Sequence, residues 1–319
     1  MGQVLTAGSG QNPARQAAIN AGIPVSKPAH IINQVCGSGL RAVISGYQSI
    51  KLGEVKNVIS GGQENMSLSP HSIFFRDQKE ILREKLVDTM MQDGLLDAFN
   101  NYHMGMTAEN IADKFEISRE EQDNYALHSQ KKTRDAINQN KFDEEIIPVN
   151  HNGLNFKKDE HPRLDLKISD LEKLKTAFKQ NGTVTAGNSS GINDGAAALI
   201  LTNLQEANIR SIQPLAKISS WASVGVDPSL MGLGPIEAIK QAVKKAHWKL
   251  EEIDLFEINE AFAAQSIAVI NELKIDQSRV NVNGGAIALG HPIGASGARI
   301  LVTLIHEMKR KNKKKGCAS

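Results

Sequence analysis

Short runs of apolar and β-branched residues alternate along this chain with longer Ala-rich stretches whose apolar positions recur at helical spacing. The strand-length runs are Val55 to Ser60, Val184 to Ala186, Ala196 to Thr202, Leu255 to Ile258 and Val280 to Asn283. Such alternation predicts an α/β sheet architecture. Between about residues 70 and 180 the pattern turns charged and mostly helical, and Ser118 to Glu121 reads as a capping box before a helix over Gln122 to Asn138. That region is expected as an insertion over the sheet.

The chain also echoes itself. Cys36 to Gly39 leads into a helix to about Leu52, then the strand Val55 to Ser60 ending in Gly61 and Gly62. His291 to Gly297 leads into a helix to about Lys309, then basic residues and Gly316 to Ser319. The second copy is expected to continue through a strand to a Gly-rich turn, which implies a carboxyl end cut inside an element.

Composition bounds the function more than it chooses one. With 319 residues, 40% hydrophobic and 23% charged, the chain is expected to fold as two domains or one large α/β unit. Aromatic residues are only 4%, which argues against a stacking platform for nucleic acid. Lys309, Arg310, Lys311, Lys313, Lys314 and Lys315 crowd one stretch, and without them the chain is slightly acidic; that run reads as a solvated helix end. The start lacks the basic and apolar regions of a signal peptide, and no apolar run is long enough to cross a bilayer. Two cysteines without CxxC spacing exclude a disulfide framework and a structural zinc site, so a cytoplasmic protein in a reducing compartment is expected.

Three segments can carry chemistry. Cys36, after a strand-like run and before a helix, is expected at a helix amino end, where the dipole and free N–H groups favour the thiolate. Alone it reads rather as a small buried hydrophobe than as a nucleophile. His291 stands in a Gly-rich, nearly charge-free loop where neither packing nor solubility explains it. Asn259 and Glu260 lie between a strand and an Ala-rich helix, where they orient water or a base, or cap the helix.

Together these segments resemble the thiolase family, on its biosynthetic branch. VCGSGLRAV resembles the nucleophile motif, NEAFAA the asparagine motif, NVNGGAIALGHPIGASGAR the histidine motif and GNSSGINDGAA a CoA-loop motif; GQNPARQAA and YHMGMTAEN are also similar to family segments. The resemblance implies two similar α/β halves, each with a mixed sheet between helices, plus a mostly helical loop domain. The halves are expected at 1–69 with 181–205 and at 206–319, with the insertion at 70–180. It implies Cys36 as the acylated nucleophile, His291 as its activating base and part of an oxyanion hole, and Asn259 as the holder of a water completing that hole. The reaction implied is condensation of two acetyl-CoA to acetoacetyl-CoA, or the reverse thiolysis, through acetyl-cysteine. The CoA contacts implied are His103, Met104, Phe178, Ala186, Ser190, Ala261 and Phe262, with Lys175 where the family often carries arginine.

The resemblance further implies coenzyme A thioesters as substrates with no cofactor and no metal, no nucleic-acid or membrane partner, and a homodimer or homotetramer. Family members start with a further βα stretch and end in a cysteine-containing motif whose thiol moves the α-proton. The chain is therefore expected to be a fragment at both ends, and Cys317 is not given that role. Two alternatives are carried: a non-catalytic acyl-CoA-binding homologue, and a serine α/β-hydrolase suggested by the G-x-S-x-G run Gly187 to Gly191. Against the hydrolase, Ile192 to Gly195 leads into a strand rather than a helix.

Overall fold

The computed structural model describes residues 1–76 and 86–319. Its helices are α1 (Pro13–Asn20), α2 (Ser38–Lys51), α3 (Met104–Lys114), α4 (Arg119–Asn138), α5 (Ile168–Glu172), α6 (Leu204–Ile209), α7 (Gly234–Lys245), α8 (Ala263–Leu273), α9 (Ala286–Leu289) and α10 (Ile293–Arg310). Its strands are β1 (Asn57–Glu64), β2 (His71–Ser72), β3 (Val87–Asp88), β4 (Val149–His151), β5 (Leu154–Phe156), β6 (Gly195–Thr202), β7 (Leu255–Glu257) and β8 (Gly316–Ala318). The chain divides into two compact units, each drawn from three stretches of sequence.

The first unit takes Met1–His103, Ile192–Glu206 and Pro292–Arg299. Its centre is the antiparallel pair β1 and β6, in register from Asn57 opposite Thr202 to Glu64 opposite Gly195. On the other edge of β1 runs the start of the chain: Gly2 N–H donates to Gly61 O at 2.8 Å, and Gln63 N–H donates to Gly2 O at 2.9 Å. Gly61 and Gly62 thus lie inside the strand rather than at its end, where the echo had placed a turn. Both are needed bare, since a Cβ on Gly61 would collide with Ala197 O and one on Gly62 with Gly294 O. Gly46 likewise lets α2 lie against Ser60, Val58 and Leu201.

The second unit takes Met104–Gly191, Ala207–His291 and Ile300–Ser319. Its core gathers Tyr125, Leu127, Ile239, Ile253, Phe256, Ile258, Val269, Leu273 and Ile287. β7 and β8 pair in parallel, Leu255 opposite Gly316, and Phe256 bridges Val280 on the other side. The echo therefore holds at element level: α2 leads to β1 as α10 leads to β8. The capping box also forms, with the Ser118 hydroxyl accepting from Glu121 N–H and the Glu121 carboxylate accepting from Ser118 N–H.

Two predicted strands do not form ladders, for a visible reason. In Val184 to Ala186 the N–H groups are claimed by side chains: Glu109 accepts from Thr183 and Val184, and Asn188 Oδ1 accepts from Thr185 at 2.8 Å. What remains there is a bridge between Thr176 and Thr185, with Ala177 N–H donating to Val184 O at 2.9 Å. In Val280 to Asn283 the chain leaves strand geometry at Asn281, whose φ is +45°. Its side-chain amide then pairs with both backbone groups of Ile258, replacing a strand neighbour.

Candidate active site

Cys36 sits in a tight turn of the first unit. Gly37 N–H donates to Gln34 O and Ser38 N–H to Val35 O, both at 3.0 Å, while the Ser38 hydroxyl donates to Val35 O and accepts from Gln34 N–H. Val35 is held at φ +46°, a left-handed conformation that a β-branched residue adopts only under strain. Helix α2 begins at Ser38 with Gly37 as its N-cap, so Cys36 precedes the helix. The half-buried thiol packs against Val4, Leu5, Met66 and Ile293. Burial pushes it up to about 11, its own backbone N–H opposes this, and the charge of Glu64 adds to it. The expectation that the helix end favours the thiolate is therefore corrected: the dipole acts within the first turn, and desolvation of the thiol wins.

Asn259 and His291 meet within the second unit. Asn259 Nδ2 lies 3.5 Å from His291 Nδ1 and 3.4 Å from Nε2, so the amide faces the ring between its two nitrogens. Asn259 Oδ1 is buried with no protein partner. The backbone of Asn259 is fixed by its N–H donating to Ser319 O at 2.9 Å, and β8 holds β7 in turn. His291 itself is 6% exposed.

Glu260 turns away from this pair into the core. Its carboxylate accepts from the Tyr125 hydroxyl, the Ser129 hydroxyl at 2.7 Å, Asn281 Nδ2 at 2.9 Å and Ile287 N–H. Ser129 Oγ also accepts from Gly285 N–H. Glu260 thus anchors α9 and the loop that delivers His291. Gly284, at φ +82°, passes so close to Thr133 and Ser129 that no side chain fits.

Most of the expected CoA contacts cluster in the second unit. Met104, Phe178 and Ala261 pack on the buried Ala108, Val184 and Phe262, and the Phe178 and Phe262 rings meet edge to face at 6.2 Å. Ser190 N–H donates to Ala261 O at 3.0 Å, while Ala186 is exposed nearby in sequence. Lys175 lines an open groove of about 610 Å³ with Leu174, Phe178 and their chain neighbours to Asn181. His103 belongs to the first unit, where it bridges Leu96, and burial lowers its ring pKa.

Among the buried carboxylates that the sequence reading did not single out, two collect backbone N–H groups from distant segments. Glu64 accepts backbone N–H groups from Val4, Leu5 and Gly294, and Glu109 accepts from Thr183 and Val184. The available signal was an acid at the end of an apolar strand and another among Ala108, Ile111 and Ala112 of α3. Ser189, the middle residue of the G-x-S-x-G run, is buried and donates to Thr185 O at 2.7 Å. The chain after it extends into β6, so no nucleophile elbow forms. Cys317 lies in β8 against the core rather than in a loose tail, and burial pushes its thiol up to about 12. The basic run is held by carboxylates: Lys311 meets Glu307, Lys313 meets Asp254 and Lys315 meets Glu252. Among the described residues no helix is long and apolar enough to cross a membrane.

Comparison with known proteins places these residues in a family context. The model for the thiolase N-terminal domain matches residues 1–205, and that for the thiolase C-terminal domain matches residues 212–319. Over the whole chain the sequence is 55% identical to an acetyl-CoA acetyltransferase of Pseudomonas aeruginosa, covering 83% of that protein. It is 52% identical to the cytosolic acetyl-CoA acetyltransferase of Mus musculus, again over the whole chain and 82% of that protein. The crystal structure of the Bacillus anthracis acetyl-CoA acetyltransferase superposes with a TM-score of 0.96 at 43% identity, covering all of this chain and 82% of the other.

Proposed function

Because the chain belongs to the thiolase family, we propose that it is an acetyl-CoA acetyltransferase, condensing two acetyl-CoA to acetoacetyl-CoA or running the reverse thiolysis. The observations that carry this reading are a strained, turn-held Cys36 in the first unit and a buried Asn259–His291 contact in the second, each on the family motif it matches. The alternatives of a hydrolase and a non-catalytic binding homologue gain no support from relatives named acetyltransferases over the whole chain.

The chemistry follows from the thiol. With a pKa of about 11, roughly one Cys36 in 10⁴ is ionised at pH 7, so the nucleophile needs a base that takes its proton during attack. His291 is that base. The sulfur attacks the acetyl-CoA carbonyl carbon, the bond from that carbon to the CoA sulfur breaks, and CoA leaves as a thiol carrying the proton back. Asn259, with Oδ1 unpaired by protein and Nδ2 against the ring, suits the holding of a water donor for the carbonyl oxygen; such donors are worth about 3 kcal/mol each. In the second half-reaction the methyl carbon of another acetyl-CoA gives a proton to His291, which the first half-reaction left neutral. The resulting carbanion attacks the carbonyl carbon of acetyl-Cys36, the bond from that carbon to the sulfur breaks, and the sulfur departs with that same proton from His291. Cys317 is not proposed as the acid–base group for that methyl proton, since its thiol packs in the core.

Met104, Phe178, Ala186, Ser190, Ala261 and Phe262 are proposed to seat the pantetheine arm, His103 to contact it, and Lys175 to meet a phosphate as a point charge. A homodimer or homotetramer and a cytoplasmic location belong to the same reading, as does the division into two halves around an insertion. Incubation with acetyl-CoA followed by intact mass and peptide mapping tests it. One acetyl group on Cys36, absent from Cys36→Ala, is expected; acetylation that persists in Cys36→Ala overturns the assignment.

A further inference from the structure

The carboxylate of Glu64 is a junction between three segments that surround Cys36. Glu64 ends β1 and is 5% exposed. Its Oε2 accepts from Val4 N–H at 3.0 Å and from Gly294 N–H at 2.9 Å, and its Oε1 accepts from Leu5 N–H at 3.1 Å. Val4, Leu5 and Ile293, the residues carrying or flanking those donors, form with Met66 the cluster against which Cys36 packs. Space at the junction is exhausted: a Cβ on Gly294 would meet Glu64 Oε2 and Gln3 Cα, each at 2.7 Å. Gly2 and Gly62 are pressed just as closely on Gly294 O.

The geometry points to Glu64 as a positioning residue for the nucleophile, its carboxylate clamping the Val4–Leu5 segment and the first turn of α10 around Cys36. This rests on the reading of Cys36 as the acylated residue. A carboxylate suits the task because it offers several lone pairs to converging N–H donors and stands at the amino end of an 18-residue helix. An uncharged amide of the same shape would turn its NH2 group toward at least one of those donors. The arrangement carries an electrostatic penalty, since the same charge pushes the Cys36 thiol up. Burial likewise raises the pKa of Glu64, against its three N–H partners. Position and charge thus act in opposite directions on the nucleophile, and two variants separate them.

Glu64→Gln keeps the shape and removes the charge; Glu64→Asp keeps the charge and withdraws the oxygens by one methylene. Two quantities are read on folded protein: the pH midpoint of iodoacetamide labelling at Cys36, and the single-turnover rate of acetylation by acetyl-CoA. In Glu64→Gln the labelling midpoint is expected to fall while acetylation slows about 10- to 100-fold, the scale of displaced reacting groups. In Glu64→Asp the midpoint is expected to stay while acetylation slows similarly. A merely structural glutamate would lower the melting temperature of both variants and change neither quantity. Wild-type acetylation in folded Glu64→Asp overturns the proposal, and that variant alone decides it if Glu64→Gln does not fold. Cys36→Ala run alongside keeps the two ideas apart: its continued acetylation would remove Cys36 from the reaction, whereas the labelling midpoint still reports the action of Glu64 on the thiol.

Discussion

Cys36 and Cys317 are both pushed up by burial, to about 11 and about 12, yet their surroundings set different fates. One sits in a strained turn before a helix; the other is a strand residue packed on a core. Burial opposes ionisation of both, so the setting separates them: a thiol in a turn at the amino end of a helix is better placed to react than one held in a strand against a core. Iodoacetamide labelling with peptide mapping at pH 8 should therefore find Cys36 modified first, and faster modification of Cys317 would contradict the burial argument. At this scale the catalytic candidates were legible because their chemistry clashes with their setting: a cysteine among glycines, and a histidine in a loop without charge. Glu64 and Glu109 were not, because their role lies in backbone N–H groups 59 to 230 and 74 to 75 positions away, which no local pattern displays.

Elements whose stability is local were the readable ones. The capping box at Ser118 satisfies two donors within four residues, so sequence spacing alone states it, and α4 starts right after that cap, at Arg119, three residues before the expected Gln122. Ser118→Ala should cost about 1 kcal/mol in urea unfolding, with a range of about 0.5–2; an unchanged midpoint would mean that α4 is held by packing alone. Val184 to Ala186 and Val280 to Asn283 have the composition of strands, but side chains of Glu109, Asn188 and Asn281 occupy the backbone groups that a ladder would use. Propensity reads what a segment can do, whereas distant side chains decide what its N–H groups meet. The basic run illustrates the converse: its six cations read as a solvated helix end, yet Glu307, Asp254 and Glu252 hold four of them.

For the molecule as a whole, acid sensitivity is the sum of carboxylates shifted in opposite senses. Asp254 accepts from Lys315 and Lys314 N–H groups, which hold its pKa below the usual range with help from the Lys313 charge. Its folded value is the lower one, so it stabilises the fold at neutral pH, and that contribution disappears as pH falls through the carboxylate range. Glu64 has the opposite sign: burial raises it, so it favours the fold at low pH and loses that contribution as pH rises through its elevated value. Thermal melts from pH 7 down to pH 3 should show a smaller loss of stability in Asp254→Asn than in wild type. Equal slopes would mean that its tether to β8 contributes nothing.

The clamp at Glu64 has a consequence in time as well as in space. Its third donor, Gly294, lies 230 positions further along the chain. At a synthesis rate of 5–20 residues per second the ribosome takes about 10–50 s to cover that distance. During that interval β1 has emerged while the peptide that completes the surroundings of Cys36 has not been made. A nascent chain of this protein therefore carries its nucleophile unassembled until Gly294 and the first turn of α10 have been made, and acyl transfer should not begin before they emerge.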